Sequence, residues 1–393
     1  MIETNFKHTD IGLIPHDWEI KKLGENASIY RGGSPRPIEA YITNSPEGVN
    51  WLKIGDVSPT DKYFTHCAEK ITPLGTACSR QVHKGDFILS NSMSFGRPYI
   101  LKIDGCIHDG WLVIQDYTTS FNMEYLYYVL SSDTIKAQYV SMAAGSSVQN
   151  LNKDKVACVQ IVTPPTLAEQ EKIANALSKI DQLINDLGAL IEKKKVIKQG
   201  TMQDLLTAKR RLKGFTGEWT SKQIIEIVGK IKRGQSLQSK DYKKGDIPVV
   251  AGGKQYAGFH NVANHHGRTI TISGSGANAG YVSFHANPIF ATDCSVIDDK
   301  GNFDLLFIYY VLQQRQNDIY KLQTGGAQPH IYPKNIEDIV SIFPPTLAEQ
   351  NAIANILSSM DTEITNLEQK RNKYIVIKQG MMQNLLTGKI RLI

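Results

Sequence analysis

At 393 residues the chain is longer than one ordinary hydrophobic core, so two or more domains are expected. Charged residues make up 21% and hydrophobic residues 41%, an ordinary globular balance. The 44 Lys and Arg against 38 Asp and Glu leave a net charge of +6, which permits nucleic-acid binding without arguing for it. The cysteines (Cys67, Cys78, Cys106, Cys158 and Cys294) are odd in number and scattered. That argues against a zinc module or a disulfide framework and fits a reducing cytosol. The opening MIETNFKHTDIG has no apolar run of signal-peptide type. No stretch approaches 18 consecutive apolar residues, so a cytoplasmic protein without a membrane span is expected.

In chain order the sequence divides into a first domain (1–160), a helical region (161–213), a second domain (214–340) and a second helical region (341–393). The helical regions are copies of each other. PPTLAEQ begins at Pro164 and again at Pro344, and aligning 164–212 with 344–392 gives 29 identities in 49 positions. The domains match more loosely. Trp18 pairs with Trp219, Arg31-Gly32 with Arg233-Gly234, Phe121 with Phe303, the YYVL at 127–130 with that at 309–312, and Gly145 with Gly325. Arg31 to Phe121 is 90 residues and Arg233 to Phe303 is 70, so the first domain carries about 20 extra. Plain tandem duplication with drift is one reading. The other is that the helices do one shared job while the domains bind different things.

Each helical region opens on Pro-Pro-Thr, where Pro suits a first turn and Thr an N-cap. Thr166 with Glu169, and Thr346 with Glu349, have capping-box spacing. Ile173, Leu177, Ile180, Ile184 and Leu187 follow in heptad steps, as do Ile353, Leu357, Met360, Ile364 and Leu367. Such a narrow stripe on a helix of some 40 residues, roughly 60 Å long, predicts that the two copies pair. Antiparallel pairing would place the two domains at opposite ends. The alternative, a core stripe inside a globular domain, fits less well because the helices are long and polar outside the seam.

The sequence carries no recognisable catalytic motif. DNA amino-methyltransferases need an Asn/Asp-Pro-Pro-aromatic loop; Thr163-Pro-Pro-Thr166 and Phe343-Pro-Pro-Thr346 lack both ends of it and open helices. Gly274 to Gly280 is glycine-rich, but YVSF follows, which predicts a hairpin loop and not a phosphate loop. Asp298-Asp-Lys300 is a tripeptide common by chance. No zinc-protease or P-loop motif is present, and His265-His266 is expected in a solvated turn. A pure scaffold is disfavoured by polar, glycine-containing loops in both domains. Their candidates for base or phosphate contact are Arg31, Ser34, Arg36, Lys53, Asn91, Ser94, Arg97, Gln149 and Asn150 in the first domain. In the second they are Arg233, Gln235, Ser236, Lys254, Gln255, Ser275, Asn278, Gln328 and His330. Arg and Lys suit guanine, Asn and Gln suit adenine, and glycine permits close backbone approach.

The chain resembles the DNA-specificity subunits of type I restriction–modification systems. The resemblance rests on IGLIPHDW (from Ile11), WLKIGDV (from Trp51), KGDFILS (from Lys84) and GSSVQNL (from Gly145). In the second half it rests on IPVVAGG (from Ile247), ISGSGANAG (from Ile272) and GGAQPHIY (from Gly325), with PPTLAEQ twice. One departure is the opening of the second half, which has only GFTGEW. The resemblance implies a mixed α/β fold: two target-recognition domains in a pseudo-two-fold arrangement, separated by a long antiparallel two-helix coiled coil. It also implies a non-catalytic subunit that binds double-stranded DNA. Its partners would be two methyltransferase subunits and restriction/translocase subunits. No cofactor or metal would bind this chain; S-adenosylmethionine, ATP and magnesium would bind the partners.

Overall fold

The computed structural model describes residues 5–91, 96–143 and 151–392. The chain divides into two compact units, one of residues 1–186 with 371–393 and the other of residues 187–370.

The first unit opens with a hairpin, Phe6–Thr9 against Gly12–Pro15. Its main sheet has five strands in the order Ser28–Arg31, Trp111–Gln115, Phe87–Ser90, Pro98–Leu101 and Tyr63–Phe64. All neighbours are antiparallel except the last pair. FILS at 87–90 is buried throughout, as a strand covered on both faces should be. A second five-stranded sheet runs Ile42–Thr43, Glu69–Ile71, Val49–Leu52, Gly105–Ile107 and Arg80–Val82. Glu19–Lys22 pairs with Gln160–Thr163, so the domain's entry and exit strands are hydrogen-bonded just before the first long helix begins at Leu167.

The second unit repeats this plan with fewer strands. Its main sheet runs Lys232–Arg233, Cys294–Asp298, Thr269–Ser273 and Val282–His285, beside a three-stranded sheet of Gly258–His260, Ile247–Val250 and Phe290–Ala291. The extra length of the first domain therefore goes into additional strands. Thr220–Gln223 pairs with Val340–Phe343, again closing the domain ahead of the second long helix at Leu347. The hairpin that precedes Trp18 has no counterpart before Trp219 among the described residues, which is where the sequence departed from its pattern. The glycine-rich segment does join two antiparallel strands, Thr269–Ser273 and Val282–His285, with Gly276 and Gly280 at positive φ.

The long helices are Leu167–Leu206 and Leu347–Leu385. Thr166 and Thr346 accept from the backbone N–H of Glu169 and Glu349 at 3.2 and 3.3 Å, so the N-caps form. The glutamates do not complete the expected capping boxes, because both are buried and give their carboxylates to arginines. Arg391 donates to Glu169 and, at 2.8 and 2.9 Å, to Asp17. Arg211 donates to Glu349 at 2.9 and 2.8 Å. Arg391 lies 5.4 Å from the Trp18 ring, and Trp219 donates to Glu349 at 3.2 Å. Each clamp thus joins the start of one helical copy to the end of the other.

Within each unit the helical segments run antiparallel. In the first, Glu169 meets Arg391 and Asp181 meets Lys378. In the second, Lys194 meets Glu363, Lys195 meets Glu368 and Lys198 meets Asp361. The heptad stripes divide between two surroundings. Ile173 and Leu177 belong to the first domain's core, together with Tyr125, Leu126 and, from the other helical copy, Leu385 and Leu386. Ile353 and Leu357 belong to the second domain's core, together with Phe307, Leu205 and Leu206. Farther along, Ile180, Leu187 and Ile364 are buried, and Ile184, Met360 and Leu367 are half-buried. The stripe is therefore part of a domain core at one end, and buried or half-buried along the rest.

Candidate nucleic-acid interface

In the first domain, four of the sequence candidates converge on one residue the sequence reading missed. Arg31 ends an edge strand of the main sheet, paired to Leu112. The adjoining Gly32 is required there, because a Cβ would lie 2.1 Å from the His108 carbonyl oxygen. Arg31 Nε and Asn91 Nδ2 donate to the Asp109 carbonyl at 3.1 and 2.8 Å. Ser34 Oγ donates to the Asp109 carboxylate at 3.0 Å, and Arg36 reaches its other oxygen at 3.5 Å. His108 is held beside them by the Gly110 N–H, which donates to its Nδ1 at 2.6 Å, and burial depresses its pKa.

The second domain places an Arg, a Gly, a Ser and an Asp at the equivalent edge, with the strand arginine meeting the carboxylate and not the carbonyl. Arg233 pairs to Ser295 on the equivalent edge, and a Cβ on Gly234 would lie 2.2 Å from the Thr292 carbonyl oxygen. Arg233 forms an ion pair with Asp293 at 3.6 Å, and Ser275 donates to the same carboxylate. Arg233 also lies 5.8 Å from the Tyr332 ring, on which His330 is stacked. Ser275 and His330 are joined by a β-bridge, which brings two distant sequence candidates together.

The other candidates scatter. Lys53 is paired with Glu69. Asn91 is buried, with its amide committed to the Asp109 carbonyl, so it supports the loop and offers no edge to a base. Arg97 is half-buried, and its backbone N–H donates to Ser90. Gln235, Ser236, Gln255 and Gln328 are exposed, and Asn278 is half-buried. Lys254 is exposed and lies 5.3 Å from the Tyr281 ring. Ser94, Gln149, Asn150 and Gly145 lie outside the described residues. His265 departs from expectation: its ring is largely buried and bonds Asp298 at 2.7 Å, and this hydrogen bond pulls the Asp298 pKa down. No group of three or more His, Cys, Asp or Glu is placed to hold a metal among the described residues. No helix among them is long and apolar enough to cross a membrane.

A second repeated contact links each domain to the helices. Tyr128 donates to Asp181 at 2.7 Å, and Asp181 pairs with Lys378 at 2.6 Å. In the other unit Tyr310 donates to Asp361 at 2.8 Å, and Asp361 pairs with Lys198. Burial and the neighbouring carboxylate raise the pKa of both tyrosines.

Two α/β domains, each presenting an Arg, a Ser and an Asp at a sheet edge beside a glycine with no room for a Cβ, and each clamped to a duplicated helix, define a duplicated binding module. The chain belongs to the type I restriction modification DNA specificity domain family, whose profile matches residues 15–199 and 216–376. It is 26% identical over 426 residues to the MjaX specificity subunit of Methanocaldococcus jannaschii, covering 99% of this chain and 97% of that one. To the type I restriction enzyme MjaVIII specificity subunit of the same organism it is 24% identical over 430 residues, covering 99% and 96%. Among solved structures, the type I S subunit from M. genitalium matches with a TM-score of 0.65 at 18% identity, over 98% of this chain and 97% of that one. Membership makes this chain a DNA-specificity subunit, the recognising and not the catalytic part of such a system.

Proposed function

We propose that residues 1–160 and 214–340 each read one half of a bipartite, non-palindromic site on double-stranded DNA. The helical regions 161–213 and 341–393 dock two methyltransferase subunits, and restriction/translocase subunits join that assembly. S-adenosylmethionine, ATP and magnesium bind those partners. The observation that carries this reading is the retention of one Arg–Gly edge, tied to one aspartate, in two domains whose strands and loops have otherwise diverged. Arg presents a rigid fork suited to guanine edges or phosphates. Divergent loops around a retained fork suit two different half-sites.

Docking is supported by a repeated apolar exposure. Val196 and Ile197 are 68% and 44% exposed, and their equivalents Val376 and Ile377 are 65% and 39% exposed. The same apolar pair left open in both copies suits two identical partners. The test of the reading is to replace residues 1–160 with the corresponding domain of another family member and to sequence the methylated sites in cells carrying the partner methyltransferase. One half of the motif should change and the other should stay. Both halves changing together would refute the two-reader assignment.

A further inference from the structure

We infer that Asp109 and Asp293 are positioning residues of the two reading surfaces, each fixing an arginine and a serine in the geometry that meets DNA. The inference rests on the two-reader function above and assigns the groups that set its specificity. An acidic residue on a DNA-facing edge is at first sight unfavourable, since it repels phosphates. Both carboxylates are nevertheless kept in open positions, with 42% and 40% of their side chains exposed. Exposed ion pairs of this kind contribute little to folding stability. Fold stability is therefore a poor reason for an arginine–aspartate pair, Arg36 with Asp109 and Arg233 with Asp293, to stand at this edge in two domains that otherwise differ.

Preorganisation is a better one. A free arginine side chain loses rotamer freedom on binding, and a side chain already held loses less. Asp109 holds Ser34 and Arg36 through its carboxylate, and Arg31 through its carbonyl. Its own N–H donates back to Ser34 at 3.3 Å. Asp293 holds Arg233 and Ser275 through its two carboxylate oxygens, and its carbonyl accepts from Gly274 at 3.0 Å. Both aspartates sit just before the strand that pairs with the arginine's own strand. The sheet register thus places the Asp293 carboxylate against Arg233 and the Asp109 carbonyl against Arg31.

The test uses the full chain, co-expressed with its methyltransferase, and reads methylated sites by single-molecule sequencing. In Asp109→Asn the discrimination against single mismatches in one half-site should fall about 5- to 100-fold, the range of one good base contact. The other half-site should be unchanged. Asp293→Asn should show the mirror image, and the melting temperature of each variant should stay within about 2 °C of the parent. Asp109→Glu, which keeps the charge, should recover part of the discrimination. Arg36→Ala and Arg233→Ala are run alongside, because Arg31 is held by the Asp109 backbone carbonyl, which Asp109→Asn leaves in place. If the arginine variants relax their half-sites and the aspartate variants do not, the positioning role is wrong and the two-reader function stands. If neither pair changes its half-site, these surfaces do not read DNA, and both assignments fall. A large drop in melting temperature with the motif intact would make the aspartates structural and overturn the inference.

Discussion

Truncation of Leu177 and Leu357 to alanine tests where the helical stripes are buried. The two leucines are equivalent, 180 residues apart, and each is 0% exposed. Leu177 shares its core with Tyr125, Leu126 and Leu385; Leu357 shares its core with Phe307, Ile308 and Leu205. A buried Leu→Ala change costs about 2–5 kcal/mol, from lost transfer energy and the cavity left behind. The first unit comprises residues 1–186 and 371–393. At roughly 2.1 cal/mol/K per residue its unfolding entropy is near 0.44 kcal/mol/K, so Leu177→Ala should lower its melting temperature by about 5–11 °C. The second unit is of similar size, and Leu357→Ala should act comparably. The two cores share no residue, so the losses should add within about 0.5 kcal/mol in the double variant. Differential scanning calorimetry of the parent, both single variants and the double reads all of this. Ile184→Ala, at a half-buried position, should cost clearly less. Shifts below about 2 °C for both leucines would refute the placement of these stripe ends in the domain cores.

The remaining expectations can be tested with the same material. Burial pushes the pKa of His285 down to about 4 from an ordinary 6.5, so between those values the unfolded chain binds a proton that the folded chain does not. Stability of the second unit should therefore be lost as pH falls from about 6.5 toward 4, and His285→Gln should flatten that slope in pH-dependent melts. Gly32→Ala and Gly234→Ala drive a Cβ into the His108 and Thr292 carbonyl oxygens. Each should cost about 1–3 kcal/mol and weaken its own half-site in methylation sequencing, whereas Gly55→Ala, with open space around it, should do neither. Val376→Asp with Ile377→Asp should leave the melting temperature nearly unchanged but lower the number of methyltransferase subunits bound, as counted by native mass spectrometry. An undiminished count would refute docking at that exposed pair.

The helices were legible because their signals are local. An N-cap is three residues wide and a heptad stripe repeats, so Thr166 and the run from Ile173 to Leu187 can be read directly. The partner of Glu169 was not legible, because Arg391 is 222 residues away, and capping-box spacing suggested a nearer one. The arginine–glycine edges were legible through their repetition. Asp109 and Asp293 were missed because the search for base-reading groups favours donors, and a carboxylate enters only through what it holds. One signal was present: Asp109 and Asp293 fall two residues and one residue before their domain's equivalent sheet strand. His265 was misassigned because its partner, Asp298, is brought to it by strand pairing and not by proximity in sequence.

The Glu–Arg clamps are equivalent in space but not in the order of synthesis. When a ribosome makes Glu349, its partner Arg211 has already emerged, 138 residues earlier. When it makes Glu169, Arg391 is still 222 residues ahead, which at about 5–20 residues per second is roughly 10–45 s. For that interval the first domain carries a carboxylate destined for burial without its countercharge, and Leu177 lacks the leucines at 385 and 386 that complete its core. The nascent first domain should therefore stay open until the last helix arrives, while the second can close as it is made.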